Sequence, residues 1–396
     1  MAPAGREPEA NWIMESVSGK IGDMRFAAGV CLCAFVLWAA EPAKEVFDRA
    51  VRDLAAGEYD AAERGFQSVL RGQPGNIAAL SNLGVIYSRT NRADRAIAVY
   101  RRALRLSPDD KAILLNLGLV YLKRDDHSRA LPLFERVVEI DPQHLQARQL
   151  LAVCRVYTGQ LEPAIRDLEA LRAAVPRDEN VLFLLGFAYL KNRDAGRAKT
   201  IFEIMFEVAG PARAQFLLGK ANYEATLFLQ AEEAFHEVLR LDPRFPGVHL
   251  ELGKVYISLR QNDDAIRELE LALKEDPGDA DASYFLGARL VQDSRYTEGI
   301  PYLERARKVK PDYWASYFYL GKAKLRLEQP AEAVVLLQRA VELNPDEATA
   351  YYQLGRALEA CGRKSEASQA LRRVRELRAA ALKAITLDDG AVAGAR

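Results

Sequence analysis

The sequence predicts an all-α fold, a solenoid of stacked helix pairs, and three observations carry that prediction. Prolines recur every 34 residues, at Pro74, Pro108, Pro142 and Pro176 and again at Pro243, Pro277, Pro311 and Pro345. Glycines keep the same interval, at Gly84 and Gly118 and then at Gly186, Gly219, Gly253, Gly287, Gly321 and Gly355, with one step of 33 and Ala152 in the skipped place. Between these marks the apolar residues fall at helical spacing rather than alternating as in a strand. A fixed period of this length means repeated units that pack on their neighbours, not one globular core.

Residues 111–144 show what one unit contains. A first apolar stripe runs through Leu114, Leu117, Leu119, Val120 and Tyr121, and a polar break follows at Lys123-Arg124-Asp125-Asp126. A second stripe runs through Ala130, Leu133, Phe134, Val137, Val138 and Ile140, and Asp141-Pro142 ends it. Proline stops the helix because its ring disfavours helical geometry in the preceding residue and offers no backbone N–H. Each unit is therefore read as two antiparallel helices joined by a tight turn. Gly118 and Ala130 sit where the two backbones approach, with Leu117, Tyr121 and Phe134 filling the space beside them. One such pair cannot bury both stripes alone, so neighbouring pairs must stack.

Counted from each unit's first residue, the pattern is Leu at 7, Gly at 8, Tyr at 11, Ala at 20, Phe or Tyr at 24 and Pro at 32. It is clear in Leu83-Gly84-Tyr87-Ala96-Tyr100-Pro108 and in Leu117-Gly118-Tyr121-Ala130-Phe134-Pro142. It recurs in Leu185-Gly186-Tyr189-Ala198-Phe202 and in Leu252-Gly253-Tyr256-Ala265-Leu269-Pro277. This pattern resembles the tetratricopeptide repeat. The resemblance covers roughly 85% of the chain and implies a right-handed superhelix of ten helix pairs that binds proteins.

Taken in order, units start near residues 43, 77, 111, 145, 179, 212, 246, 280, 314 and 348, and the solenoid spans 43–380. The first has Ala50 for the glycine and Asp53 for the tyrosine, as a terminal repeat should. The fourth has Ala152 and Arg155 in those places. The fifth is one residue short and ends in Gly210-Pro211, a break expected to bend the stack. Pro132 and Pro301 are expected near the starts of second helices, where a missing N–H costs least. The last unit lacks its terminal proline, so its second helix runs on through Arg372, Arg375, Glu376, Arg378 and Lys383 as a solvating cap. Residues 381–396 are read as the end of that helix and a disordered tail from Asp388.

Lys plus Arg equals Asp plus Glu, 55 against 55, so no global field points to nucleic acid or an acidic membrane. Cys154 and Cys361 lie on different repeats and read as small core residues rather than a disulfide. Residues 26–40 are uncharged over 15 positions, short for a membrane span and the right length for a signal-peptide apolar region. Met24-Arg25 before it resembles a natural start with a minimal basic region. Residues 1–23 are then a disordered N-terminal extension from an over-extended start. Residues 24–42 are a cleaved signal peptide or an uncleaved membrane anchor. The expected location is outside the cytoplasm of a bacterium, periplasmic or secreted, with membrane contact only through residues 26–40.

A search for chemistry finds little. The four histidines, His127, His144, His236 and His249, form no recognised metal-ligand spacing with cysteines or carboxylates. Gly362-Arg363-Lys364-Ser365 has the end of a phosphate loop, but Ala357 stands at the required upstream glycine. The expectation is a non-catalytic scaffold with no cofactor and no metal.

The resemblance implies that first helices line a concave groove through positions 2, 5, 6, 9, 12 and 13. Position 5 reads Phe47, Ser81, Leu115, Gln149, Phe183, Phe216, Leu250, Tyr284, Phe318 and Tyr352. Position 9 reads Phe187 in the fifth unit and then Lys220, Lys254, Ala288, Lys322 and Arg356. An aromatic row beside a basic row suits a peptide bearing acidic and apolar residues. The competing reading is that position 5 packs between helices and position 9 is solvated surface. Asn82 and Asn116 share position 6 in adjacent repeats, where asparagines of some family members hold a peptide backbone. The paired-lysine clamp for chaperone C-termini is missing, since Ser81, Val85 and Ala112 occupy its places. Besides a scaffold, the sequence leaves open a regulatory or adaptor subunit of an envelope assembly or of a separate enzyme, and a self-associating structural array.

Overall fold

The structure, a computed structural model, describes residues 43–393 and contains twenty helices there. It divides into two compact units, one ending at Gly210 and one beginning at Pro211. Among the described residues no strand occurs. The extension at residues 1–23 and the apolar segment at 26–40 lie outside the described residues.

The first unit stacks five pairs: α1 (Ala43–Ala55) with α2 (Tyr59–Gly72), α3 (Ile77–Arg89) with α4 (Ala93–Leu106), α5 (Lys111–Lys123) with α6 (His127–Ile140), α7 (Leu145–Tyr157) with α8 (Leu161–Ala174), and α9 (Glu179–Lys191) with α10 (Ala195–Ala209). The second stacks α11 (Pro211–Glu224) with α12 (Phe228–Leu241), α13 (Val248–Leu259) with α14 (Asn262–Glu275), α15 (Ala280–Gln292) with α16 (Tyr296–Val309), α17 (Trp314–Arg326) with α18 (Pro330–Leu343), and α19 (Ala348–Ala360) with α20 (Lys364–Ala393). In the second unit the first helices also touch in series, α11 to α13 to α15 to α17 to α19, so they share one face.

The repeat residues act as their period implies. A Cβ built on Gly118 would meet Phe134 at 2.5 Å, on Gly219 Phe235 at 2.6 Å, and on Gly321 Leu337 at 2.5 Å. Each glycine thus makes room for the large residue sixteen positions later on its partner helix. In the first pair Ala50 takes the glycine's place, and Gly65 on α2 makes room for it: a Cβ there would meet Ala50 Cβ at 2.6 Å. Position 34, two residues past the proline, caps the next first helix. Asn76, Asp110, His144, Asp178, Asp279 and Glu347 all accept a hydrogen bond there from a backbone N–H of the following turn.

One recurring feature is absent from the proline and glycine patterns. The turn inside every pair holds one residue in the left-handed region, at Gly57, Asn91, Asp125, Gly159, Arg193, Thr226, Arg260, Ser294, Glu328 and Gly362, with φ between 58° and 80°. Seven of the ten are not glycine, so the period of the backbone is stricter here than the period of the sequence.

Two expectations are corrected. Pro132 and Pro301 are each the sixth residue of their helix, α6 and α16, not in the first turn. There each ring removes an interior hydrogen bond to the carbonyl four residues back. The proline that does open a second helix is Pro330 of α18. The last helix continues to Ala393, beyond the tail boundary expected at Asp388. No proline interrupts it and alanine and leucine, the strongest helix formers, dominate residues 379–387. Cys154 and Cys361 are both free thiols, the first buried.

Candidate functional site

The first-helix face of the second unit brings the basic positions together, but they are not equivalent. Lys220 on α11 and Lys254 on α13 converge on Glu251, which lies one helical turn before Lys254. Lys254 Nζ donates to Glu251 Oε2 at 2.8 Å, and Lys220 Nζ lies 3.2 Å from Oε1. Lys254 is only 5% exposed, and its ammonium sits over the Tyr223 ring. Burial alone would raise the Glu251 carboxyl. The charges and hydrogen bonds of Lys254 and Lys220 outweigh it and hold the group well below its ordinary 4.5, at about 2. These two lysines share one internal carboxylate, so the cations of the basic row are not equivalent.

Further along, Ala288 leaves the next place empty of charge, and Lys322 on α17 differs from the other lysines. It is half-buried, its ammonium lies 5.8 Å from the centre of the Tyr319 ring, and among the described residues no carboxylate pairs with it. Burial lowers its pKa; Tyr296 opposes this, and the cations of Arg326 and Arg289 add to it. Arg289 itself is held by Asp293, with Nε 3.0 Å from Oδ2. Arg326 is exposed and Arg356, one repeat on, is half-buried, again without a carboxylate partner among the described residues.

The aromatic row is also divided. Phe187 is 0% exposed and stacks on Phe183, which is buried with it in the first unit. Phe216 is wedged between Phe235 and Phe245 at 5.7 and 5.1 Å. Tyr284 is buried with its ring edge-on to Tyr313 at 4.7 Å. Phe183, Phe216 and Tyr284, all at position 5, pack between helices, and Phe187 at position 9 is buried rather than solvated. Phe318 is half-buried against Trp314 and Tyr319, and Tyr352 is 44% exposed. Phe318, Tyr319 and Tyr352 therefore present aromatic surface beside Lys322 and Arg356 on α17 and α19.

In the first unit Asn82 and Asn116 stand 34 residues apart on α3 and α5, which touch. Both are half-buried, and Asn82 Nδ2 donates back to the Ala78 carbonyl of its own helix at 3.0 Å.

Glu251 and Tyr319 were not singled out by reading positions 5 and 9, because both occupy position 6. The spacing of Glu251 and Lys254, three apart on one helix, was the available signal for the first. Nothing comparable marked the second. Among the described residues no group of three or more His, Cys, Asp or Glu is arranged to hold a metal, and no helix is long and apolar enough to cross a membrane.

Tetratricopeptide repeat family models match residues 47–111 and 88–144, and residues 121–182, 223–288, 290–347 and 325–385. Together they span more than half of the chain, which therefore belongs to the tetratricopeptide repeat family. Members of that family are typically non-catalytic protein-interaction scaffolds, the class that this fold defines. Among curated proteins no sequence matches. Among solved structures, the chain is similar to a crystal structure of MamA, 26% identical over 42% of this chain and 97% of that one, with a TM-score of 0.39. It is similar to MamA 41-end from Desulfovibrio magneticus RS-1, 24% identical over 43% and 96%, with a TM-score of 0.40. Yeast Tom70 is 15% identical over 89% of this chain and 96% of that one, with a TM-score of 0.47.

Proposed function

We propose that this scaffold binds a segment of a partner protein on the α17–α19 part of its first-helix face, and that the segment carries a carboxylate next to apolar side chains. The observation that carries the reading is Lys322, a half-buried cation with no carboxylate partner among the described residues. Elsewhere on the same face the buried cations are compensated by Glu251. A buried charge costs several kcal/mol unless paired, so a carboxylate delivered by a ligand is worth more at Lys322 than at a solvated lysine. Phe318, Tyr319 and Tyr352 supply the adjoining apolar area at low cost in side-chain entropy.

The test is to pan short random displayed peptides on the full chain and on its Lys322→Glu variant. The expected outcome is enrichment of Asp or Glu flanked by Leu or Phe, lost in the variant. Enrichment without acidic residues, or unchanged by the substitution, overturns the reading.

The location outside the cytoplasm stays part of the proposal and rests on residues 26–40 alone. Fractionation of the expressed full chain, with and without those residues, checks it; cytosolic recovery of both forms would count against export.

A further inference from the structure

We infer a second interaction surface, independent of the site above: an arginine face on α2 and α4 that docks on an anionic membrane surface. Several arginines on or just before second helices are matched by a carboxylate three residues away, and those of α4 are not. Arg136 pairs with Glu139, Arg172 with Glu169, Arg295 with Glu298 and Arg363 with Glu366, at 2.6 to 2.8 Å. On α4, Arg101 and Arg105 are exposed, stand one turn apart and have no carboxylate partner among the described residues. Like charges at this spacing repel, so the two side chains are in local conflict.

The repeat sharpens the contrast. One period later the same two positions are Glu135 and Glu139, held by Arg155 and Arg136. One period earlier Arg105 corresponds to Arg71 on α2, also exposed and without a carboxylate partner among the described residues. Arg95 is exposed as well; Asp94 beside it is taken by Arg124. Arg101 and Arg95 lie over the Tyr121 and Tyr87 rings, each 5.9 Å from the ring centre. Leu106, beside Arg105, is 50% exposed.

From Ile77 to Ser107 the chain has six arginines and one acidic residue, although the whole chain is balanced. Unpaired guanidinium groups around an exposed leucine fit phosphate headgroups above an apolar layer: the planar fork binds phosphate oxygens in pairs, and the leucine enters the boundary. The face belongs to second helices of the first unit and shares no residue with the site on α17 and α19.

The experiment is co-sedimentation of the full chain with phosphatidylcholine vesicles and with vesicles containing phosphatidylglycerol, read as the ratio between them. That ratio excludes any headgroup-blind insertion of residues 26–40. The ratio should exceed one and fall as salt is raised. The triple variant Arg71→Gln, Arg101→Gln, Arg105→Gln should lower anionic partitioning on the order of a hundredfold, at about 1 kcal/mol per arginine. The matching Arg→Lys triple keeps the charge and should retain most of it, which separates binding from loss of fold. A ratio of one for the parent chain, or equal ratios for parent and Gln triple, overturns the proposal. If an acidic peptide rather than a lipid is the occupant, the vesicle ratio is one.

Discussion

Thr226 is the residue whose backbone and side chain disagree most. It holds φ at 62° in the turn between α11 and α12, a geometry that glycine adopts freely and a β-branched residue rarely does. The sister turns at Gly57, Gly159 and Gly362 have the residue this geometry favours. Thr226→Gly is therefore expected to stabilise the protein by about 1 kcal/mol, seen as a higher melting temperature. An unchanged or lower one would mean that the threonine side chain contributes something its exposed position does not suggest.

Glu251 carries a second residue-scale expectation. Removing its charge leaves Lys254 buried and uncompensated, so Glu251→Gln should cost about 3–5 kcal/mol. The pH dependence has a definite sign. The folded carboxyl lies below its unfolded value of 4.5, so its contribution is complete above that value and lost as pH falls toward about 2. Acid titration of stability should be steeper for the parent than for Glu251→Gln. The same logic separates the lysines: Lys254→Glu should lower the melting temperature, whereas Lys322→Glu should not, because only the first has a buried carboxylate to repel. Equal effects would remove the distinction on which the proposed site rests.

At the scale of the helix pair, stability depends on how closely two backbones approach. A Cβ on Gly253 would sit 2.6 Å from Leu269 Cγ, so any side chain forces α13 and α14 apart. Gly253→Leu should cost on the order of 1–3 kcal/mol or more by overpacking. A melting curve that does not move would show that the pair tolerates separation. Pro301 acts in the opposite sense. Its ring interrupts α16 at the sixth residue, and Pro301→Ala restores the interior hydrogen bond to Thr297. The expected result is a rise in stability, checked by urea denaturation. These two contacts differ in legibility. The glycine repeats at a fixed interval and could be matched to its partner from the sequence. The place of a proline within a helix depends on where the helix starts, and that start is set by the turn, whose residues vary.

At the scale of the molecule, each helix pair is stabilised mainly by the next, so the ends need covering. In α20 the buried residues are Ala367, Ala370 and Val374, while Leu371 fills the space in front of Gly355. Ending the chain after Ala380 should leave the melting temperature unchanged, and ending it after Ala360 should lower it, since Leu354 and Leu358 lose their cover. Charge shows the same dependence on scale. Balance over the whole chain says nothing against local segregation, and it conceals the arginines of α4.

The sequence by itself determined the number and pairing of the helices, because a 34-residue period in glycine, alanine and proline leaves one way to bury both stripes. It also named the positions from which a site could be built. Which of those positions face solvent was decided only by the tertiary structure. Phe187 and Tyr284 hold the same repeat positions as Lys322 and Tyr352, respectively, yet the first two are buried and the others are half-buried and exposed. The physical reason is that exposure at a repeat position depends on the size and charge of residues on the neighbouring helices. Glu251 draws Lys220 and Lys254 inward, and among the described residues no carboxylate does so for Lys322.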